Sequence, residues 1–144
     1  MGLFYFKFFP YICNMKNSQR IAELAFEWCQ KYWGSPLKSR KCQFVVSYDR
    51  RVKNYTGLYI DRLIRVYPLN CPTNKDLIQT IIHEYCHFLQ MPCLSDNKYY
   101  SQMDDLKGYE KNPYEIQARK FETKYYKKCK KYIKSRLNER KLLG

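Results

Sequence analysis

The sequence predicts an α+β fold, and three stretches carry that reading. A helical apolar period runs over residues 18–33, a β-branched and aromatic block covers 42–67, and two capped helical patterns follow from Thr73 and Asn112. The 144 residues suffice for one sizeable core and are too few for two ordinary domains. No internal repeat or low-complexity linker divides them, so a single domain over residues 1–144 is expected.

The opening residues, MGLFYFKFFPYIC, are apolar and aromatic but interrupted by Lys7 and Pro10. They are too few to cross a bilayer, and they lack the basic start and small-residue cleavage site of a secretory signal. Phe6 stands where myristoylation wants Ser or Thr. Residues 1–15 therefore read as an extra strand or as an extension ahead of a start at Met15, with an inhibitory plug over a cleft as the third reading. Ser18 reads as the N-cap of a first helix. On it Ile21, Leu24, Ala25, Trp28 and Tyr32 share one face, and Gly34-Ser35-Pro36 ends it.

Residues 42–48 (CQFVVSY) have strand composition. Gly57-Leu58-Tyr59-Ile60 and Leu63-Ile64-Arg65-Val66-Tyr67 follow, separated by Asp61-Arg62, a length suited to a tight hairpin although neither residue favours positive φ. Pro68 stops the second run or confines it to a sheet edge. An edge strand directly before the next helix would offer main-chain hydrogen bonds to an extended peptide.

That next helix holds both histidines of the chain, in the string His83-Glu84-Tyr85-Cys86-His87. Thr73 and Asp76 make a capping box at its start, and Pro92 closes it. Leu77, Ile78, Ile81, Tyr85, Phe88 and Leu89 form the apolar face, with His83 and His87 beside Thr80 on a neighbouring one. The H-E-x-x-H spacing sets two imidazoles one helical turn apart. Two neutral imidazoles so placed can hold Zn2+, and the carboxylate of Glu84 can take a proton from the attacking water. Cys86 reads as a small helix residue, and Cys71 and Cys93 are weaker thiolate candidates.

Residues 91–111 show little periodicity and read as a long loop with room for a short helical turn, of a length that is often functional. Asn112-Pro113 then starts a helix, Asn as cap and Pro at its first position, with Ala118, Phe121, Tyr125, Cys129, Ile133 and Leu137 along one stripe.

A catalytic zinc normally keeps three protein ligands and an open position. With no third histidine, every H-E-x-x-H-x-x-G-x-x-H arrangement is excluded, and the SprT-like proteases are disfavoured. A carboxylate must complete the site, from Asp96, Asp104, Asp105, Glu110, Glu115, Glu122 and Glu139. Glu115, in the first turn of the helix, is the best of these, and Glu122, two turns on, is the reserve.

H-E-Y-C-H followed by N-P-Y-E-I-Q-A resembles the gluzincins, and most of all the small minigluzincins and related phage and mobile-element peptidases, many of which carry N-P-x-E-x-x-A. The resemblance rests on His83, Glu84, His87, Glu115 and Ala118, and on the order of elements over residues 18 to 130. It implies a zincin-like fold: a small sheet with an edge hairpin, packed on an N-terminal helix, the H-E-x-x-H helix and a ligand-bearing C-terminal helix. It also implies Zn2+ held by His83, His87 and Glu115, Glu84 as general base, Ala118 packed on the motif helix, and a peptide or protein substrate cleaved by an endopeptidase. Larger gluzincins place an acid one turn after the ligand glutamate to orient a histidine. Arg119 stands there, so that support must come from elsewhere. Tyr109, Tyr114 and Arg119 are nearby candidates for stabilising an oxyanion.

Composition adds a second theme. Lys and Arg number 27 against 13 Asp and Glu, a net charge of +14, which favours an anionic partner. Residues 119–141 hold eleven basic side chains against Glu122 and Glu139, so this C-terminal segment reads as a basic amphipathic helix suited to nucleic acid or another anionic surface. A nucleic-acid-binding protein, or a zincin-like domain without activity, is the competing reading. Seven scattered cysteines without a C-x-x-C pair favour free thiols in a reducing, cytoplasmic setting, and no transmembrane segment is expected.

Overall fold

The computed structural model describes the backbone of residues 2–143 and the side chains of residues 15–139. It is an α+β fold. Helix α1 (Gly2–Trp33) leads to strands β1 (Gln43–Val46), β2 (Gly57–Ile60) and β3 (Leu63–Val66), then to α2 (Asn74–Gln90), α3 (Asn97–Lys107) and α4 (Pro113–Leu143). A strand at the N-terminus, one of the two expected forms, is not formed: the backbone runs as helix from Gly2, and Ser18 lies within α1 and does not cap it. The expected plug concerns side chains outside the described ones. At the other end α1 stops as predicted. Gly34 takes φ 68°, and its N–H closes on the Gln30 carbonyl at 2.9 Å.

The three strands form one mixed sheet in the order β1-β3-β2. β1 runs parallel to β3 with Gln43 beside Leu63, and β2 runs antiparallel to β3 with Ile60 beside Leu63. The hairpin forms with positive φ at both Asp61 (42°) and Arg62 (66°), the backbone of a tight two-residue turn. This corrects the expected edge. β3 is the central strand because β1 covers its other side, and Pro68 lies beyond it in a 3₁₀ turn (Pro68–Asn70) where it removes no ladder bond. The open edge near the motif helix is β2.

The core lies between α1, α2, α4 and the inner face of the sheet. Leu24, Ala25 and Cys29 of α1, Ile64 and Val66 of β3, Ile81, Tyr85 and Phe88 of α2 and Cys129 of α4 are almost fully buried. A large aliphatic or aromatic side chain buried in this way contributes about 1.5–3 kcal/mol. Trp33 joins three helices, stacking on Tyr85 at 6.0 Å and on Phe121 at 5.6 Å between ring centroids. Ala118 is completely buried, so α4 can approach α2 closely at that turn.

The stretch expected as a loop also needs correction. After a 3₁₀ turn at Leu94–Asp96 it forms α3, eleven residues long. None of its side chains is buried, so no apolar stripe betrays it in the sequence. No helix among the described residues is long and apolar enough to cross a membrane. The described cysteines are free, and Cys29, Cys42, Cys86 and Cys129 are buried.

Candidate metal centre

The helix carrying the motif is anchored at its first turn. Thr73 accepts from the Asp76 N–H at 3.1 Å, and the Asp76 carboxylate accepts from the Thr73 N–H at 3.0 Å. Opposite it, α4 begins at a completely buried Asn112. Its side chain accepts from the Tyr114 N–H at 3.0 Å and donates to the Tyr100 carbonyl at 3.2 Å. These two caps fix where the first turn of α4 meets the last turns of α2.

At that crossing His83, His87 and Glu115 come together, all buried, with one ligand atom from each within 4.8 Å of the others. Glu115 reaches Nε2 of His83 and Nε2 of His87, at 2.9 Å each. Tyr100 of α3 donates to the same carboxylate at 2.8 Å. Glu122 does not join this group. It takes Nδ1 of His83 at 2.8 Å, on the far side of the ring. Gln90 does the same for His87: its Oε1 lies 2.8 Å from Nδ1, while its amide donates to the Tyr114 carbonyl and to Gln117.

These partners decide which ring nitrogens are free. Since the Gln90 amide nitrogen is engaged as a donor, its oxygen must accept, and Nδ1 of His87 is the donor. Nδ1 of His83 likewise donates to a carboxylate. In the neutral rings both Nε2 lone pairs then face the oxygens of Glu115. Lone pairs facing lone pairs require either extra protons or a cation. A set of two imidazole nitrogens and one carboxylate fits a borderline ion such as zinc better than Mg2+ or Ca2+, which prefer oxygen alone. Hydrogen-bonded second partners of this kind are what metal-bound histidines ordinarily have.

Without a cation the protons carry the load. Burial alone would lower His83, but hydrogen bonds to Glu115 and Glu122 outweigh it and raise its pKa to about 10. Burial would raise Glu115, yet bonds from His83, His87 and Tyr100 hold it far below the usual carboxylate range. Glu84 is pushed up by burial, against the opposing pull of the two histidines.

Two cavities flank Glu84. One of about 410 Å³ lies on the His83 side and is lined by Thr80, Asp76, Glu110, Arg119 and Glu122. The other, about 310 Å³, lies on the His87 side among Leu58, Tyr59, Met91, Tyr100 and Ser101. Tyr55, Gly57, Glu84 and Tyr109 border both. The open edge of β2 runs along this cleft. Since the Tyr67 N–H bonds the Thr56 carbonyl at 2.8 Å, the alternation of an antiparallel ladder turns the N–H and C=O of Gly57 and Tyr59 outward. The Tyr59 hydroxyl donates to the Met91 carbonyl and so ties this strand to the end of α2.

Gly57 sets how closely that strand approaches. A Cβ there would lie 2.6 Å from Cγ2 of Thr80 and 3.3 Å from Cγ of Glu84. The glycine is a site residue the sequence reading passed over, because a strand glycine shows its purpose only against the helix facing it. Tyr100, Gln90 and Glu122 were similarly out of reach as supporting groups. Of the oxyanion candidates, Tyr109 borders both cavities, whereas Tyr114 gives its carbonyl to Gln90 and Arg119 donates to the Glu110 carbonyl at 2.6 Å. Cys86 is buried in the helix, with its thiol pushed up to about 12 by desolvation. Neither it nor Cys71 nor Cys93 belongs to the metal-type group found among the described residues.

No protein-family model, no curated protein and no solved structure matches the chain, so the reading of this site rests on its own geometry.

Proposed function

We propose that the chain is a zinc-dependent metallopeptidase with a zincin-like, gluzincin-type site. The observation that carries this reading is the convergence of His83, His87 and Glu115 beside Glu84, opposite an open strand edge. A zinc ion held by those three residues would supply Lewis-acid polarisation of a carbonyl and acidification of water.

The protein's own groups account for the rest. The outward N–H and C=O groups of Gly57 and Tyr59 pair with an extended peptide, laying its scissile bond across Glu84. Glu84 accepts the proton of the attacking water and returns it to the leaving amine. Burial raises its pKa, which suits a group that must both take and give a proton near neutrality. Tyr109, whose hydroxyl is pushed up to about 12 by burial and by Glu115, stays protonated and can donate to the developing oxyanion. The cavity among Leu58, Tyr59, Met91 and Tyr100 accepts an apolar side chain. The one bordered by Asp76, Glu110 and Glu122 accepts a polar or basic one.

The test is a pair of measurements on the purified chain: zinc content by elemental analysis, and cleavage of a mixed peptide library. One zinc per chain is expected, with cleavage that Glu84→Gln abolishes while zinc stays bound. A chain that takes up no zinc, or a Glu84→Gln variant that cleaves as fast as the parent, overturns the reading.

A further inference from the structure

α4 carries more than Glu115. Lys120, Lys124, Lys127, Lys131 and Lys134 are all exposed and follow one another at spacings of three and four residues, so they form one straight stripe. At 1.5 Å per residue the stripe is about 21 Å long. At 3.6 residues per turn it lies roughly 140° round the helix from Glu115 and Glu122, turned away from α2. Among the described residues none of the five is in an ion pair. The acidic side chains of this helix face elsewhere or lie past the stripe: Glu115 is buried, Glu122 is bound to His83, and Glu139 follows Lys134.

Such a stripe is unfavourable for the helix itself. Like charges three and four apart repel, by a few tenths of a kcal/mol per pair, and a solvated face normally interleaves both signs. Lys124 lies over the Tyr125 ring, 5.3 Å from its centroid, but no carboxylate among the described residues pairs with the stripe. A polyanion would relieve the repulsion. The chemistry of the stripe also chooses among polyanions. A helix that lies on a bilayer needs apolar residues beside its cations. Here Ala118, Cys129 and Ile133 are buried, Phe121, Tyr125 and Leu137 pack on the core, and Ile116, exposed one turn before Lys120, does not by itself make an apolar face that could insert. A single strand would call for exposed aromatic rings on which bases stack, and the stripe itself consists of lysines. A rigid line of lysines about 5 Å apart along the axis matches a regular row of phosphates.

We infer that this outer face of α4 docks on the phosphate backbone of a double-stranded nucleic acid, without reading its sequence. The cleft, on the opposite side of the helix, stays open when it does. The inference does not depend on the metal site.

Fluorescence anisotropy of a labelled duplex of about 20 base pairs, titrated with the full chain across salt concentrations, provides the test. With about five phosphates neutralised, affinity should fall roughly 500-fold between about 50 and 200 mM salt, a slope near −4.5. Replacing all five lysines by glutamine should weaken binding at low salt at least tenfold and flatten that slope, and K127Q/K131Q should flatten it by about two. Lys38→Gln with Lys53→Gln, away from the stripe, should leave both unchanged. Circular dichroism and melting temperature report whether the variants fold. Several outcomes overturn the inference: no duplex binding at low salt, stripe variants that bind like the parent, tighter binding to a single strand, or tighter binding to phosphatidylserine vesicles.

Discussion

Glu122 grips His83 from behind: its carboxylate lies 2.8 Å from Nδ1, while Nε2 of the same ring faces Glu115 at 2.9 Å. One imidazole thus sits between two carboxylates on α4, spaced two turns apart, and only one of them is placed to share an ion with it. Removing Glu122 should therefore loosen the ring and leave the ligand set complete. Glu122→Ala is expected to weaken zinc binding about 10–100-fold, in the range typical of second-layer partners, and Glu115→Ala to weaken it further. Competition against a chelating dye measures both. Equal losses in the two variants would make Glu122 a ligand in its own right.

Gly57→Ala tests the closeness of β2 to α2. The new methyl would lie 2.6 Å from the Thr80 methyl and 3.2 Å from the Arg65 carbonyl oxygen. Overpacking of this kind costs about 1–3 kcal/mol, so a lower melting temperature is expected. Adding Thr80→Ser removes the nearest atom and should recover part of the loss. A double variant no more stable than the single one would place the strain elsewhere.

The metal-free protein should show a pH signature from His83. Its folded pKa is raised from 6.5 to about 10, so its contribution is fully present below pH 6.5 and disappears as the pH rises through about 10. In the presence of a chelator, the stability gap between the parent and His83→Asn should shrink steadily across that window in urea titrations. With zinc the trend should reverse, because ligand deprotonation favours the ion. A gap that is flat with pH in chelator would refute the charged His83 pairing.

Tyr109→Phe separates catalysis from binding. Loss of the hydroxyl should lower kcat on a cleaved peptide about 10²–10³-fold with little change in KM, if it donates to the oxyanion. Steady-state kinetics give the split. A change confined to KM would assign Tyr109 to substrate packing.

Much of the fold was legible because its signals are local. The Thr73–Asp76 box, the Asn112-Pro113 start, the Gly34 stop and the Asp61-Arg62 hairpin each depend on residues within a turn of one another, and each formed where expected. The departures share a cause. α3 buries nothing, so it leaves no periodic trace. The N-terminal residues joined α1, continuous with the pattern that follows Ser18. Pro68 stops the run as one of its two readings had it; the other, an edge position for β3, failed because a sequence does not show that β1 would close the other side of that strand.

The sequence by itself determined the pairing of His83 with His87 and the candidacy of Glu115, since a four-residue helical spacing fixes two rings on one face wherever the helix goes, and with two histidines and only weak thiolate candidates a third donor for a metal is sought first among carboxylates. Only the tertiary structure decided that Glu122 and Gln90 hold the rings by Nδ1, that Tyr100 supports Glu115, and that Gly57 brings the edge of β2 against Glu84. Those relationships depend on how α2, α3, α4 and the sheet pack across tens of residues, and no local period or cap encodes that crossing.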